Sequence, residues 1–517
     1  MGFMTDLKET YDDNNFSVTE NGAIGYASTG KRLLDLNFAT SSLRHETEEE
    51  IADRFEDAYA ENKLLAIKWA FFCRDIRGGL GERRTPRAIY KSLIAHHPDV
   101  AKAIIPLIPE YGRWDDLFEY FGTRLEKDAL EFIKTQLDND VLGVIKDKPI
   151  SLLAKWMPSI NASSKQTRAR AKIIKEYLDI SERGYRVMLS DLREYIDVIE
   201  RKMSAGNWSE INYETVPSKA NLLYKDAFMK HDELRRTAYL ESLTKGEAKI
   251  NASTNFPHDI VHKYGSAYDF RSGAYRISNE DTTLEELWKA LPDYVNGANN
   301  TLVVRDGSGS MGVALDFKSR VTAMDVSTAL AIYFSEKSGG EFKDKFITFS
   351  SKPKLVDLSG YESLAQKLRR TYKETECSNT DIEKTFDLIL KSALEHKTKQ
   401  EDMPQNILII SDMEFDYATT MSYRYRDDDC KTLFDTIAKK FATNGYKLPR
   451  LVFWNVNSRT GTIPVKENSL GVALVSGFSP TVCKMVLSGK LDPYECLLDQ
   501  LNVDRYKPVE AAVKGLI

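Results

Sequence analysis

The sequence predicts an α + α/β protein: an all-α helical-repeat half followed by a doubly wound α/β domain. Three observations predict it. Up to about residue 290, amphipathic helical patterns succeed one another, with almost no alternating β-branched segments to supply strands. Beyond Leu291-Pro292, short apolar runs alternate with helical stretches, the pattern of a mostly parallel sheet covered on both faces. The polar loop Asp306-Gly307-Ser308-Gly309-Ser310-Met311-Gly312 directly follows the first of those runs, where open α/β sheets bind ligands. The expected divisions are an amino-terminal arm over 1–30, a helical-repeat domain over 31–295 and an α/β domain over 296–517.

The elements follow in order. Residues 1–30 are polar, and Asn21-Gly22 and Thr29-Gly30 are turn dipeptides, so an arm or hairpin precedes the first helix. Thr47 with Glu50 makes a capping-box pattern, and Ile51, Phe55, Ala58, Leu65 and Trp69 recur at helical spacing, predicting one long helix to Cys73. A second begins at Thr85-Pro86, proline being favoured at the first helical position, and stops before Pro98. Further helices are predicted over 99–107, 113–136, 165–180, 190–204 and 217–243. Packed helical hairpins of this kind commonly build a solenoid. Strands fit 301–305, 346–349, 407–410, 451–454 and 472–475, with helices near 318–336, 359–371, 381–395 and 430–443.

Composition narrows the function. The chain has 517 residues, 29% of them charged and 42% hydrophobic, which suits a soluble globular protein of several domains. No apolar run is long enough to span a membrane, and no secretory signal opens the chain. A net charge of −5 rules out whole-chain attraction to nucleic acid, so any anion must meet a local patch. Cys73, Cys377, Cys430, Cys483 and Cys496 lie far apart without a CxxC, which points to a reducing compartment, and the cytoplasm is the expected address.

The loop at 306–312 satisfies two motifs. Gly307, Gly309 and Gly312 spell the dinucleotide fingerprint G-x-G-x-x-G, whereas Asp306, Ser308 and Ser310 spell D-x-S-x-S. An aspartate there repels a pyrophosphate, and the acidic residue a dinucleotide site wants at the end of the next strand is replaced by Phe349-Ser350-Ser351-Lys352. One carboxylate and two hydroxyls on alternate residues are hard oxygen donors suited to Mg²⁺ or Mn²⁺. That reading needs further oxygen donors at neighbouring strand ends, and Thr380 and Asp412 supply them, with Glu414 and Asp416 close by. The set resembles the von Willebrand factor A domain and its metal-ion-dependent adhesion site. The resemblance implies a Rossmann-like domain in which Asp306, Ser308, Ser310, Thr380 and Asp412 hold the cation and a partner carboxylate completes the coordination. No His-Asp pair accompanies either serine, and G-x-S-x-G is absent, so a serine hydrolase is not indicated.

The helical half carries basic patches. Arg74, Arg77, Arg83, Arg84 and Arg87 surround the turn Gly78-Gly79-Leu80-Gly81, and Lys155, Lys165, Arg168, Arg170, Lys172 and Lys175 fall in an acid-free stretch. Arginine binds phosphate bidentately, and the neighbouring Trp114 and Trp156 serve either as stacking platforms for bases or as core. His258 and His262 stand at i, i+4 without an H-E-x-x-H and are expected to pack.

Thr19-Glu20-Asn21-Gly22-Ala23, Arg74-Asp75-Ile76-Arg77-Gly78-Gly79, Tyr111-Gly112-Arg113-Trp114-Asp115-Asp116 and the carboxy-terminal A domain together resemble the Ro/TROVE proteins and a related family. Residues 183–192 and 216–220 with Ala227-Phe228 resemble the related family. The resemblance implies a HEAT-like solenoid or ring that binds small structured or single-stranded RNA, closed by the A domain. The expected function is therefore that of a non-enzymatic, monomeric RNA-binding protein. The alternative is a protein scaffold that recruits a carboxylate-bearing partner through the metal.

Overall fold

The computed structural model describes residues 16–22, 24–265, 267–269, 274–298, 300–315, 320–349, 352–374, 382–415, 433–459, 461–464, 472–487, 490 and 492–517. They fall into two compact units. One gathers the chain up to Thr47, Arg54–Glu61 and Ala252–Asn502; the other gathers Glu48–Asp53, Asn62–Asn251 and Val503–Ile517.

The first unit is α/β. The amino-terminal hairpin pairs β1 (Phe16–Val18) with β2 (Ile24–Tyr26) through a turn in which Gly22 takes φ 89°, and a second small hairpin pairs β3 (Ala267–Asp269) with β4 (Ala274–Arg276). The main sheet has six strands: β5 (Thr301–Asp306), β6 (Lys345–Phe349), β7 (Lys354–Asp357), β8 (Asn406–Ser411), β9 (Arg450–Asn455) and β10 (Val472–Ser476). Their order is β10-β9-β8-β5-β6-β7, parallel except for the antiparallel edge strand β7. Every residue of β8, β9 and β10 is buried, as expected of parallel strands covered on both faces. The five predicted strands are all present. β7 lies outside that reading because its four residues, Lys-Leu-Val-Asp, alternate toward solvent at an edge and make no apolar run.

The second unit is helical throughout its described residues. The single helix expected from Thr47 to Cys73 is two, Glu48–Glu61 and Lys63–Arg74. Asn62 breaks it with extended backbone (φ −155°, ψ 103°), and its side chain accepts a hydrogen bond from the Leu65 N–H to cap the second helix. Ser164 and Ser181 cap the helices Lys165–Tyr177 and Glu182–Tyr195 in the same way.

The unit boundaries differ from the expected divisions at 30 and 295. The carboxy-terminal segment joins the helical unit: the helix Lys507–Val513 packs on Lys63–Arg74, Arg505 pairs with the buried Asp75, and Tyr506 stacks on Tyr111 at 5.7 Å. The first helix, Arg32–Phe38, and residues after Ala252 instead join the sheet unit: Asn455 Nδ2 donates to the Phe38 carbonyl at 3.0 Å, and the helix Pro257–Lys263 packs on Ala323–Lys337. Long-range ion pairs and helix contacts decide these memberships, and local periodicity carries no record of them.

Candidate functional site

The sheet's order changes direction between β5 and β8. The chain leaves β5 toward β6 on one side, and the strands after β8 run to the other, so the carboxyl ends of β5 and β8 flank a topological switch point. Asp306 ends β5, and Asp412 directly follows Ser411, the last residue of β8. Two carboxylates separated by about a hundred positions therefore meet at one crevice.

Both are fully buried. Asp306 Oδ1 accepts the Ser308 N–H at 2.8 Å and Oδ2 accepts the Ser411 hydroxyl at 2.6 Å. The Ser308 and Ser310 hydroxyls lie 2.9 Å apart. Asp412 Oδ1 accepts the Glu414 N–H at 3.3 Å, whereas its Oδ2 has no hydrogen-bond partner and lies 3.5 Å from Arg459 Nη2. Burial, then the charge of Asp306, pushes the Asp412 carboxyl up to about 7 against the Ser310 hydroxyl and Arg459. Burial raises Asp306 too, against its bonds from Ser411 and Ser308. The pair is thus short of positive charge.

That shortage fits a hard divalent cation. The donors are carboxylate and hydroxyl oxygens, and a buried carboxylate oxygen that accepts no hydrogen bond, with one guanidinium 3.5 Å away, is a feature a cation would satisfy. Among the described residues, no three His, Cys, Asp or Glu side chains form a metal-binding group, so the hydroxyls of Ser308 and Ser310 are needed to complete the set. Thr380, like Asp416, lies outside the described residues. The dinucleotide alternative gains nothing from the described residues. A Cβ on Gly309 or Gly312 would meet nothing within 4 Å of the chain, and the loop enters only a short 3-10 turn over Gly309–Gly312. Two residues that the sequence did not single out belong to the crevice. Ser411 was legible as the neighbour of Asp412, but Arg459, in the loop after β9, carried no signal.

The second candidate site lies in the helical unit. Segment 113–120 brings its two basic patches together, although they are far apart in sequence. Arg87 Nε donates to Asp116 Oδ1 at 2.6 Å, the Arg113 guanidinium stacks on Trp156 at 4.1 Å, and Arg170 lies 3.9 Å from Glu119 and 5.3 Å from the Phe118 ring. At the centre, Asp116 is fully buried and also accepts Arg74 Nε at 2.7 Å and the Arg113 N–H at 2.9 Å. Burial alone would raise the Asp116 carboxyl; Arg74, Arg87 and the Arg113 N–H outweigh it and hold it below the ordinary range. Four arginines (74, 83, 87 and 113) face Asp115 and Asp116. Partial desolvation within the cluster, and then repulsion from neighbouring arginines, lowers Arg113 and also Arg83, whose side chain still reaches solvent. The cluster carries excess positive charge.

The structure sorts the predicted basic residues. Arg74 is buried in its pair with Asp116, which corrects its assignment as an RNA contact. Arg77, Arg83, Arg84, Lys165 and Lys172 are exposed. Arg168 turns back on its own helix start, donating to the Ala162 and Ser163 carbonyls, and Lys155 lies 3.7 Å from Glu200. Trp114 stacks on Phe132 at 5.7 Å. A cavity of about 320 Å³ lined by Arg186, Arg193 and Arg201 adds cations outside the two predicted patches.

The quoted motifs are largely scaffolding. A Cβ on Gly79 would collide with the Phe72 carbonyl, and one on Gly112 with Asp116 and Arg74, so only glycine fits either place. His258 packs between Phe256 and Phe478, as expected, but His262 Nδ1 bonds Asp325 Oδ2 at 2.9 Å. Cys73, Cys483 and Cys496 are buried thiols outside any disulfide. Cys377 and Cys430 lie outside the described residues. Among the described residues, no helix is long and apolar enough to cross a membrane.

Comparison with known proteins gives matches over most of the chain. Residues 300–509 match the model of a domain of unknown function, DUF7788, and residues 19–134 and 163–299 match that of another, DUF2828. The uncharacterized protein L728 of Acanthamoeba polyphaga mimivirus is 29% identical over 538 aligned positions, which cover 96% of this chain and 89% of that protein. Among solved structures, the chain is similar to the RO (RSR) protein of Deinococcus radiodurans, with a TM-score of 0.46 and 12% identity over 88% of this chain and 98% of that one.

Proposed function

We propose that the chain is a non-enzymatic RNA-binding protein of Ro/TROVE type. Its helical unit binds small structured or single-stranded RNA, and its α/β unit holds Mg²⁺ or Mn²⁺ at Asp306, Ser308, Ser310 and Asp412, with Thr380 as a further ligand. The observation that carries the RNA reading is the convergence of two sequence-distant basic patches on segment 113–120, with more arginines than the local acids neutralise. Phosphate is the anion that such planar, multiply donating groups fit.

The cation would supply charge neutralisation and an open coordination position to the acid pair. This chain's own residues shape that position: Ser411 and the Ser308 N–H fix Asp306, and the Glu414 N–H fixes Asp412. A carboxylate from a protein partner is the ligand class that would complete it. The test is recovery of the protein from its native host with sequencing of co-bound RNA, followed by binding against salt concentration. A steep loss of affinity with salt is expected. Recovery without enriched RNA, or salt-independent binding, refutes the reading.

A further inference from the structure

The amino-terminal hairpin reaches the acid pair. Glu414, fully buried two residues beyond Asp412, ties three segments together: its carboxylate accepts the Glu20 N–H at 2.9 Å, the Arg459 N–H at 2.8 Å and the Ser458 hydroxyl at 3.3 Å. Asn21 Nδ2 donates to the Glu414 carbonyl at 2.7 Å, and the Thr19 hydroxyl donates to the Phe415 carbonyl at 2.6 Å. Tyr26 and Ile463 exchange two backbone hydrogen bonds of 2.7 Å. A Cβ on Gly25 would lie 2.6 Å from the Ile463 carbonyl oxygen, so the hairpin needs glycine to seat this closely. The Thr-Glu-Asn-Gly stretch of the sequence is thus a strap on the lip of the crevice.

Arg459 stands between two carboxylates. Its Nη2 is 2.8 Å from Glu20 Oε2 and 3.5 Å from Asp412 Oδ2, and its side chain is 24% exposed against 49% for Glu20 and none for Asp412. We propose that Arg459 is a resident counter-cation of the acid pair which Glu20 draws off Asp412, so that seating of the hairpin tunes the affinity for a divalent cation. The proposal rests on the cation reading given above. A cation approaching Asp412 Oδ2 competes with a guanidinium for the same oxygen and is repelled by it. Glu20 offers that guanidinium another partner and lowers the competition.

Removing the two ends of the bridge therefore shifts affinity in opposite directions, which a general loosening of the fold does not do. With Mn²⁺ alone titrated into the full chain, R459Q tightens binding about tenfold, the effect of one pKa unit of relieved charge. E20Q weakens it roughly three- to fivefold, in keeping with a partly exposed ion pair. The double variant stays within about twofold of R459Q, because Glu20 acts through Arg459. R459K, which keeps the charge, lies closer to the parent than R459Q does. Glu20 is half exposed, so E20Q tests the link even if R459Q fails to fold. Unchanged affinity in E20Q, or shifts of the same sign in both single variants, overturns the proposal while leaving the cation site standing. A parent chain that binds no Mn²⁺ overturns both.

Discussion

The two units bury aspartates and neutralise them in opposite ways. In the helical unit, Asp116 receives two guanidinium groups and a backbone N–H, with further arginines close by, and its carboxyl lies below the ordinary range. In the α/β unit, the described residues set one guanidinium 3.5 Å from Asp412 and the charge of Arg305 near Asp306, and both carboxyls still lie above the ordinary range. A buried charge that its own chain neutralises holds the fold together. One left uncompensated costs stability, and such costs concentrate at functional sites. The excess of cations around Asp116 and the high carboxyls of Asp306 and Asp412 are the basis on which ligands of opposite sign are proposed for the two units.

The comparison can be broken most easily at Asp116. Asp116→Ala should destabilise by about 3–5 kcal/mol in urea unfolding, because Arg74 stays buried without its partner. Since its folded pKa is depressed, its contribution is present above the unfolded value near 4 and is lost as pH falls through the folded value. A cost below about 1 kcal/mol would remove the contrast. Asp412→Asn should act with the opposite sign, raising the stability of the cation-free protein by about 1–3 kcal/mol at neutral pH, because one of two facing charges is gone. Loss of stability in that variant, measured with chelator present, would show that Asp412 is structural.

Smaller effects sharpen the picture. A triple charge-neutral variant, Arg83→Gln with Lys165→Gln and Lys172→Gln, should lower RNA affinity at least tenfold and flatten the salt dependence by roughly 2–3. Normal binding would move the RNA surface elsewhere. Gly309→Ala should change stability by less than about 0.5 kcal/mol, since the added methyl meets nothing within 4 Å, and should leave cation binding intact. A large loss would restore the dinucleotide reading of the loop.

Local pattern made the sheet strands and most helices legible, because buried parallel strands are continuous apolar runs such as Ile407–Ile410 and Leu451–Trp454. It also singled out Asp306 and Asp412, whose meeting follows from strand order. It gave no sign that the two compact units interleave along the chain, since the capture of Arg505 and Tyr506 by Asp75 is a contact across more than four hundred positions. The same limit applies to function. Arg74 read as a phosphate contact because it is an arginine in a basic stretch, but only the fold reveals that Asp116 already holds it. Arg459 was silent for the converse reason, and Glu20 stood out only as part of a family-like motif: neither has a role until the hairpin places one beside the other.

The central claim, that the buried acid pair is short of one divalent cation, is tested most directly by the melting temperature of the full chain in chelator and in millimolar Mg²⁺ or Mn²⁺, for the parent and for Asp306→Asn. A ligand that binds only the folded state raises its melting point by mass action. The parent should melt several degrees higher with the cation and the variant should not respond. Equal shifts in the two, or none in the parent, would contradict it.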